Sequence, residues 1–176
     1  MKVELHSDNQ MRNIVEERFD AGVRLGESID KDMIAVRIGP DWRLVAIASP
    51  DYVKQRGRPS TPQDLVDHVC INLRQTTMGN LYAWEFARDG RELRVRVDGQ
   101  LTFNSTLPMI DAALSGYGIA CVPESIVGSH IAEGRLTLLL SEWSPRFSGY
   151  HLYYPSRRQI SPAFAVIVDA LRYRDA

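Results

Sequence analysis

The sequence predicts an α/β fold with largely parallel sheets, and three observations carry that prediction. Apolar runs of strand length, such as Leu44–Ala48 and Ile119–Val122, alternate with segments of helical periodicity. Serine–proline pairs begin helices after Ser49 and Ser161, because the hydroxyl caps the first turn and proline fits the first helical position. One hairpin, with its turn at Asp89-Gly90, interrupts the alternation of strands and helices.

The first elements follow from alternation and capping. Val3 and Leu5 alternate with polar residues, which predicts a strand at the very start of the chain. Ser7 has the spacing of a capping box, and the apolar positions that follow predict a helix whose face runs from Met11 to Phe19.

The remaining elements are predicted from the same signals. Strands are expected at Ala21–Leu25, Ile34–Ile38, Leu44–Ala48, Val69–Leu73, Tyr82–Phe86, Leu93–Val97, Gln100–Phe103, Ile119–Val122, Leu136–Leu140 and His151–Tyr154. Helices are expected from Pro50 to Gly57, from Pro62, from Leu107 to Gly116, from Glu124 to Ala132 and from Pro162 to Leu171. Because Leu44–Ala48 is continuously apolar, it should be a strand covered on both faces.

The composition is that of an ordinary globular chain. The 176 residues are 44% hydrophobic and 24% charged, which argues against disorder, collagen and coiled coil. The net charge of -1 argues against a chain that grips DNA by itself, since DNA-binding domains are usually basic. No apolar run suits a signal peptide or a membrane span, so a cytoplasmic location without membrane contact is expected. Cys70 and Cys121 each lie in an apolar run and should be reduced and buried.

The sequence offers little that would make an enzyme. The four histidines are scattered and lack the spacing of metal ligands. No nucleophile elbow, phosphate loop or dinucleotide fingerprint is present. No catalytic residue, metal or cofactor is therefore predicted.

Two loops are candidate ligand sites. Gly26–Ser28 follows a strand, and Asn104–Thr106 lies between a strand and a helix. Ligands of open α/β sheets collect at the carboxyl ends of strands and at helix N-termini, where amides and hydroxyls suit a carboxylate. The residues alone also fit a structural interpretation, a plain turn for the first loop and a helix cap for the second.

Five segments together resemble the effector-binding domain of LysR-type transcriptional regulators. They follow the family's order and spacing and cover nearly the whole chain. The segments are FDAGVRLGES, SPDYVKQRGRPSTPQDLVDHVCINLR, NSTLPMIDAALSGYGIACVPE, GRLTLLLSEW and YHLYYPSRRQISPAFAVIVDALR.

The resemblance implies a periplasmic-binding-protein-like fold of type II, with two Rossmann-like lobes joined by two crossover strands. Lobe I would hold residues 1–46 and 152–176, and lobe II would hold residues 47–151. The family's first strand and helix have no counterpart in this sequence, which implies a first lobe truncated at its N-terminus. The winged helix-turn-helix, through which the family contacts DNA, would also lie outside this chain.

The resemblance further implies that a small effector binds in the cleft between the lobes and modulates transcription by the full-length protein. The effector would be an organic acid or an amino-acid-like metabolite, and the domain would form a homodimer. The implied effector-binding residues are Leu25, Gly26, Glu27 and Ser28 in the first lobe, Ser49 near the hinge, Thr76 and Thr77 at one side, and Asn104, Ser105 and Thr106 in the second lobe. Glu27 would either pair with a cationic group of the ligand or face water.

Three other functions could use the same fold. A stand-alone solute-binding protein predicts an export signal. An enzyme predicts titratable groups that converge on the cleft, for which Glu27 is the one candidate. A regulatory fragment that pairs with full-length regulators predicts that the two co-purify.

Overall fold

The structure is a computed structural model that describes residues 2–7, 12–26, 29, 31–75, 79–156 and 160–174. The strands, in chain order, are β1 (Gly22–Leu25), β2 (Met33–Arg37), β3 (Trp42–Ala48), β4 (Cys70–Leu73), β5 (Trp84–Arg88), β6 (Arg91–Val95), β7 (Thr102–Phe103), β8 (Ile119–Pro123), β9 (Thr137–Leu139), β10 (Arg146–Phe147) and β11 (Tyr150–Pro155). The α-helices are α1 (Pro50–Arg56), α2 (Thr106–Leu114), α3 (Glu124–Ala132) and α4 (Pro162–Leu171), and short 3-10 helices span Pro62–Asp67 and Ser141–Trp143.

The chain divides into two units, one of residues 1–42 with 147–176 and one of residues 43–146. The lobe boundaries that the resemblance implies, 1–46 with 152–176 and 47–151, stay a prediction.

In the unit of residues 1–42 and 147–176, β11 lies between β1 and β2 and pairs antiparallel with both. Helix α4 covers one face of this sheet, where Val168 is buried with Val36 and Phe164 meets the ring of Tyr154 edge-on at 5.2 Å. The hydroxyl of Ser161 accepts a hydrogen bond from the Phe164 amide at 3.2 Å. The predicted serine–proline start of this helix is therefore confirmed.

The first two predicted elements are wrong. Residues 2–7 form no strand, and Leu5 is 90% exposed. Residues 14–18 form turns instead of the helix expected from Met11 to Phe19, of which residue 11 lies outside the described residues. Alternating apolar and polar residues form a strand only where a neighbouring strand supplies hydrogen bonds. No strand in the described part of the chain pairs with residues 2–7.

In the unit of residues 43–146, the sheet has the strand order β10–β3–β8–β4–β7, and β9 also pairs with β3. Strand β4 runs parallel to β7 and β8, whereas β3 runs antiparallel to β8 and β9. The expectation of largely parallel sheets is thus wrong outside the three parallel strands β8, β4 and β7. The alternation of strands and helices along the chain does not determine which strands become neighbours. The α/β class itself is confirmed.

Two layers cover this sheet. Helix α2 packs Met109 and Ile110 into one core, which also contains Ile71. The β5–β6 hairpin packs Trp84 and Phe86 into a second core, and its turn has positive φ at Asp89 and Gly90, as the type I′ geometry of a two-residue hairpin requires. The predicted hairpin is therefore confirmed.

The second core holds both cysteines. Cys70 and Cys121 are buried, unpaired thiols, as the sequence predicts. Removal from water disfavours the thiolate, and burial raises the pKa of each thiol to about 12.

Candidate functional site

The first turn of α2 is the candidate site that the structure supports best. Strand β7 ends at Phe103, and Asn104 and Ser105 lead directly into the helix. Asn104 is exposed, while Ser105 and Thr106 are half-buried. By helix geometry the amides of this turn have no acceptor inside the helix, and the helix dipole adds a partial positive charge. The turn can therefore bind an anionic group.

The hydroxyl of Ser105 is not used for capping. Ser105 has the extended backbone of an N-cap, yet its side chain makes no capping hydrogen bond. The usual donor to such a hydroxyl is the amide of the second or third helical residue. The third residue here is Pro108, which has no amide hydrogen, so this position cannot supply the bond.

Arg74 brings a cation to the same edge of the sheet. The register pairs Leu73 with Phe103, which places Arg74 beside Asn104. The Arg74 amide donates to the carbonyl of Phe103 at 2.7 Å, and its guanidinium donates to the carbonyl of Gly79 at 2.7 Å. This exposed charge would attract an acid toward the first turn of α2.

An ion pair lies along the same edge, at the end of β8. The Nε of Arg43 donates to one carboxylate oxygen of Glu124 at 2.6 Å, and its Nη2 donates to the other at 2.5 Å. The hydrogen bond from Arg43 holds the pKa of Glu124 below its ordinary value, and the charge of Arg146 acts in the same direction. We call this edge, with Arg74, Asn104, Ser105 and Glu124, the Asn104 end.

Ser49 does not belong to the Asn104 end, and its expected place near the hinge stays a prediction. It follows the last residue of β3, whereas the boundary between the units lies before Arg43. The seven residues of β3 span about 20 Å. Ser49 instead lies beside Gly116, just past the C-terminus of α2, and its hydroxyl accepts from the Tyr52 amide at 3.2 Å. The sequence could not reveal this, because it does not say at which end of a sheet a loop lies.

The remaining sequence-based candidates lie in the unit of residues 1–42 and 147–176 or outside the described residues. Leu25 ends β1 and is half-buried. A Cβ on Gly26 would come within 2.8 Å of the His151 ring and 2.9 Å of the Ser148 hydroxyl, so close packing accounts for this glycine. Glu27, Ser28, Thr76 and Thr77 lie outside the described residues, and their roles stay predictions.

Within the described ranges, no three His, Cys, Asp or Glu side chains are grouped so that they could hold a metal ion. Over the same ranges, no helix has the length and apolar character that crossing a bilayer requires.

Comparison with solved structures defines the class of this fold. CrgA, a LysR-type transcriptional regulator from Neisseria meningitidis, matches with a TM-score of 0.73 and 29% identity over 90% of this chain and 53% of that one. Full-length AphB, a virulence activator of Vibrio cholerae, matches with a TM-score of 0.77 at 21% identity, over 96% of this chain and 56% of that one. The fold is that of the regulatory domains of such proteins, which is the periplasmic-binding-protein-like type II fold.

The chain belongs to the LysR substrate binding domain family, whose model matches residues 1–176. A Pseudomonas aeruginosa protein that carries the provisional name of transcriptional regulator is 56% identical over 173 residues, which are 98% of this chain and 56% of that protein. The HTH-type transcriptional regulator PgrR of Escherichia coli is 45% identical over 99% of this chain and 58% of its own length. The chain thus spans little more than half the length of these relatives.

These findings confirm the predicted family. The family and the named relatives are transcriptional regulators and not enzymes, as the sequence predicts. Regulators of this family bind small-molecule effectors and act as oligomers on DNA.

Proposed function

We propose that this chain senses a small acidic effector, and that the first turn of α2 holds the effector's carboxylate. In the full-length regulator, the bound effector would change transcription by favouring one arrangement of the DNA-binding parts. The observation that carries the proposal is the Ser105 hydroxyl, which occupies an N-cap position and yet makes no capping hydrogen bond. It can donate to a carboxylate beside the first-turn amides.

The charges of the Asn104 end support an acid as the ligand class. Arg74 is exposed beside Asn104, while the charge of Glu124 is already paired with Arg43. The cation therefore remains to attract an acid, and the carboxylate that would repel one is neutralised by its partner.

Thermal shift and titration calorimetry with a panel of small acids and amino acids test this proposal. A ligand of the folded state raises the melting temperature by mass action. The paired change Ser105→Ala and Thr106→Ala should abolish both the shift and the heat of binding. Ser129→Ala, at an exposed position of α3, is the matched control and should leave both intact. Undiminished binding by the double variant would remove α2 from the site.

The proposal includes a cytoplasmic homodimer. Its support is that regulators of this family act as oligomers on DNA. Light scattering over a range of concentrations should give twice the chain mass. A mass of 19.9 kDa at every concentration would contradict the dimer and leave the effector proposal standing.

A further inference from the structure

Strand β1 lies at the edge of its three-stranded sheet. It pairs with β11 on one side, and no strand in the described part of the chain pairs with its other side. Every second residue of such a strand directs its amide and its carbonyl away from the paired neighbour. None of these outward groups in Gly22–Leu25 has a hydrogen-bond partner among the described residues. An open edge of this kind is a template for one further strand.

The same edge leaves an apolar side chain uncovered beside the core of this unit. The register pairs Val23 with Leu152, so the two side chains lie on the same face of the sheet. Leu152 is buried there with Val168 of α4, whereas Val23 is 51% exposed. Since a strand beside β1 would cover Val23, the burial of apolar surface favours such a strand.

Residues 2–7 have the alternation that this edge requires. Val3 and Leu5 are 56% and 90% exposed, and they are separated by one polar residue. An antiparallel strand with Leu5 opposite Val23 places both side chains on the face that α4 covers. Val3 then lies opposite Leu25 on that face, because alternate residues of each strand point the same way. In this register every apolar side chain of the segment meets an apolar neighbour.

The charges agree with the same register. Glu4 comes to lie opposite Arg24, on the other face of the sheet. The guanidinium of Arg24 donates to the carbonyl of Arg12 at 2.6 Å and lies over the ring of Tyr153. Neither Glu4 nor Arg24 forms an ion pair with a described residue. Opposite charges on facing residues stabilise a pair of strands.

The segment of the same chain does not occupy this edge. Residues 2–7 pair with no described strand, and the ring of His6 packs against that of Phe19, with the centroids 5.9 Å apart. A second copy carries both the segment and the edge. Regulators of this family act as oligomers, so a second copy is the partner that this surface fits.

We infer that two copies of this chain exchange residues 2–7, and that each segment adds an antiparallel strand to the β1 edge of the other copy. The two contacts are equivalent by two-fold symmetry, so the exchange closes at a dimer. Each sheet gains a fourth strand, and Val23 and Leu5 are covered. This inference rests on the homodimer of the proposed function and names the surface that forms it. The effector site at α2 does not depend on it.

Disulfide trapping tests the contact and identifies the partner. Facing residues of antiparallel strands have Cα atoms about 4.5–5.5 Å apart, which a disulfide can span. Under mild oxidation the double variant Leu5→Cys and Val23→Cys should give a covalent dimer on a non-reducing gel. Leu5→Cys with Val66→Cys is the control, because Val66 is 83% exposed and lies in the unit of residues 43–146. It should give no covalent dimer.

Two results of the trapping experiment would overturn the inference. A disulfide formed within one chain would show that the segment pairs with the β1 of its own copy. Equal yields of covalent dimer from the two double variants, or none from either, would show that Leu5 does not face Val23. The native cysteines are buried and remain in both variants, so they do not distinguish them.

Analytical ultracentrifugation of the dimer is an independent readout. Leu5→Asp should raise the dissociation constant about 100-fold, because each dimer loses two buried leucines. Glu4→Arg should raise it about 10-fold by placing like charges opposite each other, and adding Arg24→Glu should restore it. Val66→Asp and Glu16→Arg, at exposed positions, are the matched controls and should leave the dissociation constant unchanged.

The outcomes separate this inference from the proposals on which it builds. A dimer that Leu5→Asp and Glu4→Arg do not weaken overturns the inference and leaves the homodimer standing. A monomer at every concentration overturns both, while the effector proposal is decided by Ser105→Ala and Thr106→Ala. Because Leu5 and Glu4 are exposed in a single copy, their variants should fold. They therefore decide the matter even if Arg24→Glu does not fold.

Discussion

The two ends of the sheet in residues 43–146 differ in how their polar groups are used. At one end, which we call the Ser49 end, Ser49 is 4% exposed and its hydroxyl caps α1. Gly99 and Gly118 pack there directly against the backbone of Val69 and Cys70. At the Asn104 end, Ser105 occupies the same capping position of a helix, but its hydroxyl makes no capping bond.

The difference teaches where a ligand can be accommodated. A hydroxyl that already accepts from an amide and is buried contributes to stability and has little left to offer a ligand. A hydroxyl that is half-buried and makes no capping bond contributes little to the helix and keeps its hydrogen-bonding capacity. The third helical residue differs between the two cases. It is Tyr52 in α1, whose amide donates to Ser49, and Pro108 in α2, which has no amide hydrogen.

The largest effect is expected at the Ser49 end, from Gly99→Ala. A Cβ at this position would overlap the carbonyl oxygen of Cys70 and lie 2.8 Å from its carbonyl carbon. Because these are backbone atoms of a buried strand, the neighbour cannot yield, and a loss of about 3 kcal/mol or more in the free energy of unfolding is expected. Urea denaturation measures it.

Gly128→Ala is the control for that substitution. Gly128 lies in α3, and a Cβ there would meet nothing within 4 Å. Alanine should therefore stabilise the chain by about 0.5–1 kcal/mol through helix propensity. If Gly99→Ala proved as harmless as Gly128→Ala, the tight packing assigned to the Ser49 end would be incorrect.

A smaller loss is expected from Ser49→Ala, which removes the cap of α1. Replacing a capping serine by alanine costs about 1 kcal/mol, and the Tyr52 amide would lose its acceptor. For a chain of this size, a loss of 1 kcal/mol lowers the melting temperature by about 2–4 °C. Calorimetry on Ser49→Ala, with Ser129→Ala as a surface control, checks this value. Equal melting temperatures for the two variants would refute the capping role.

Local signals in the sequence predicted many of the elements. Serine before proline located the starts of α1 and α4, and Asp89-Gly90 located the hairpin, because each depends on neighbours within a few residues. The prediction of a strand at Val3 and Leu5 was wrong because a strand needs a partner that the local sequence does not specify. The alternation of strands and helices along the chain likewise could not predict that β3 runs antiparallel to β8.

The candidate site was predicted only in part. Asn104–Thr106 carried a signal, a polar turn before a helix, and the loop was identified on that signal. The Arg43–Glu124 pair joins residues 81 positions apart, so local sequence signals do not predict it. The position of Ser49 at the opposite end of the sheet from Asn104 has the same origin, because the fold alone decides which loops share an end of the sheet.

The ion pair of the Asn104 end should give a pH-dependent effect. The pKa of Glu124 is lowered in the folded chain, first by the hydrogen bond from Arg43. A group with a lowered pKa contributes stability above its unfolded pKa, about 4.3 for glutamate, and loses it as the pH falls through the folded value. Glu124→Gln should therefore lower the free energy of unfolding by about 0.5 kcal/mol at pH 7, since the pair is partly exposed. This difference should disappear at the lowest pH values.

Urea denaturation of both chains from pH 7 down to the lowest pH at which they fold measures this effect. Asp51→Asn, which removes an exposed acid, is the control. A constant difference between the unaltered chain and Glu124→Gln at all pH values would show that the charge of Glu124 does not contribute.

The smallest effect on stability is expected from Ser105→Ala, and it is the one that separates the two ends most clearly. Since no capping bond is lost, the free energy of unfolding should change by no more than about 0.5 kcal/mol.

Pro108→Ala would restore an amide hydrogen at the third helical position, so that Ser105 could cap α2. In that background Ser105→Ala should cost about 1 kcal/mol, and a double-mutant cycle by urea denaturation measures the coupling. If Ser105→Ala cost the same with and without Pro108, the proline would not be what keeps this hydroxyl from capping α2, and the two serines would differ for another reason.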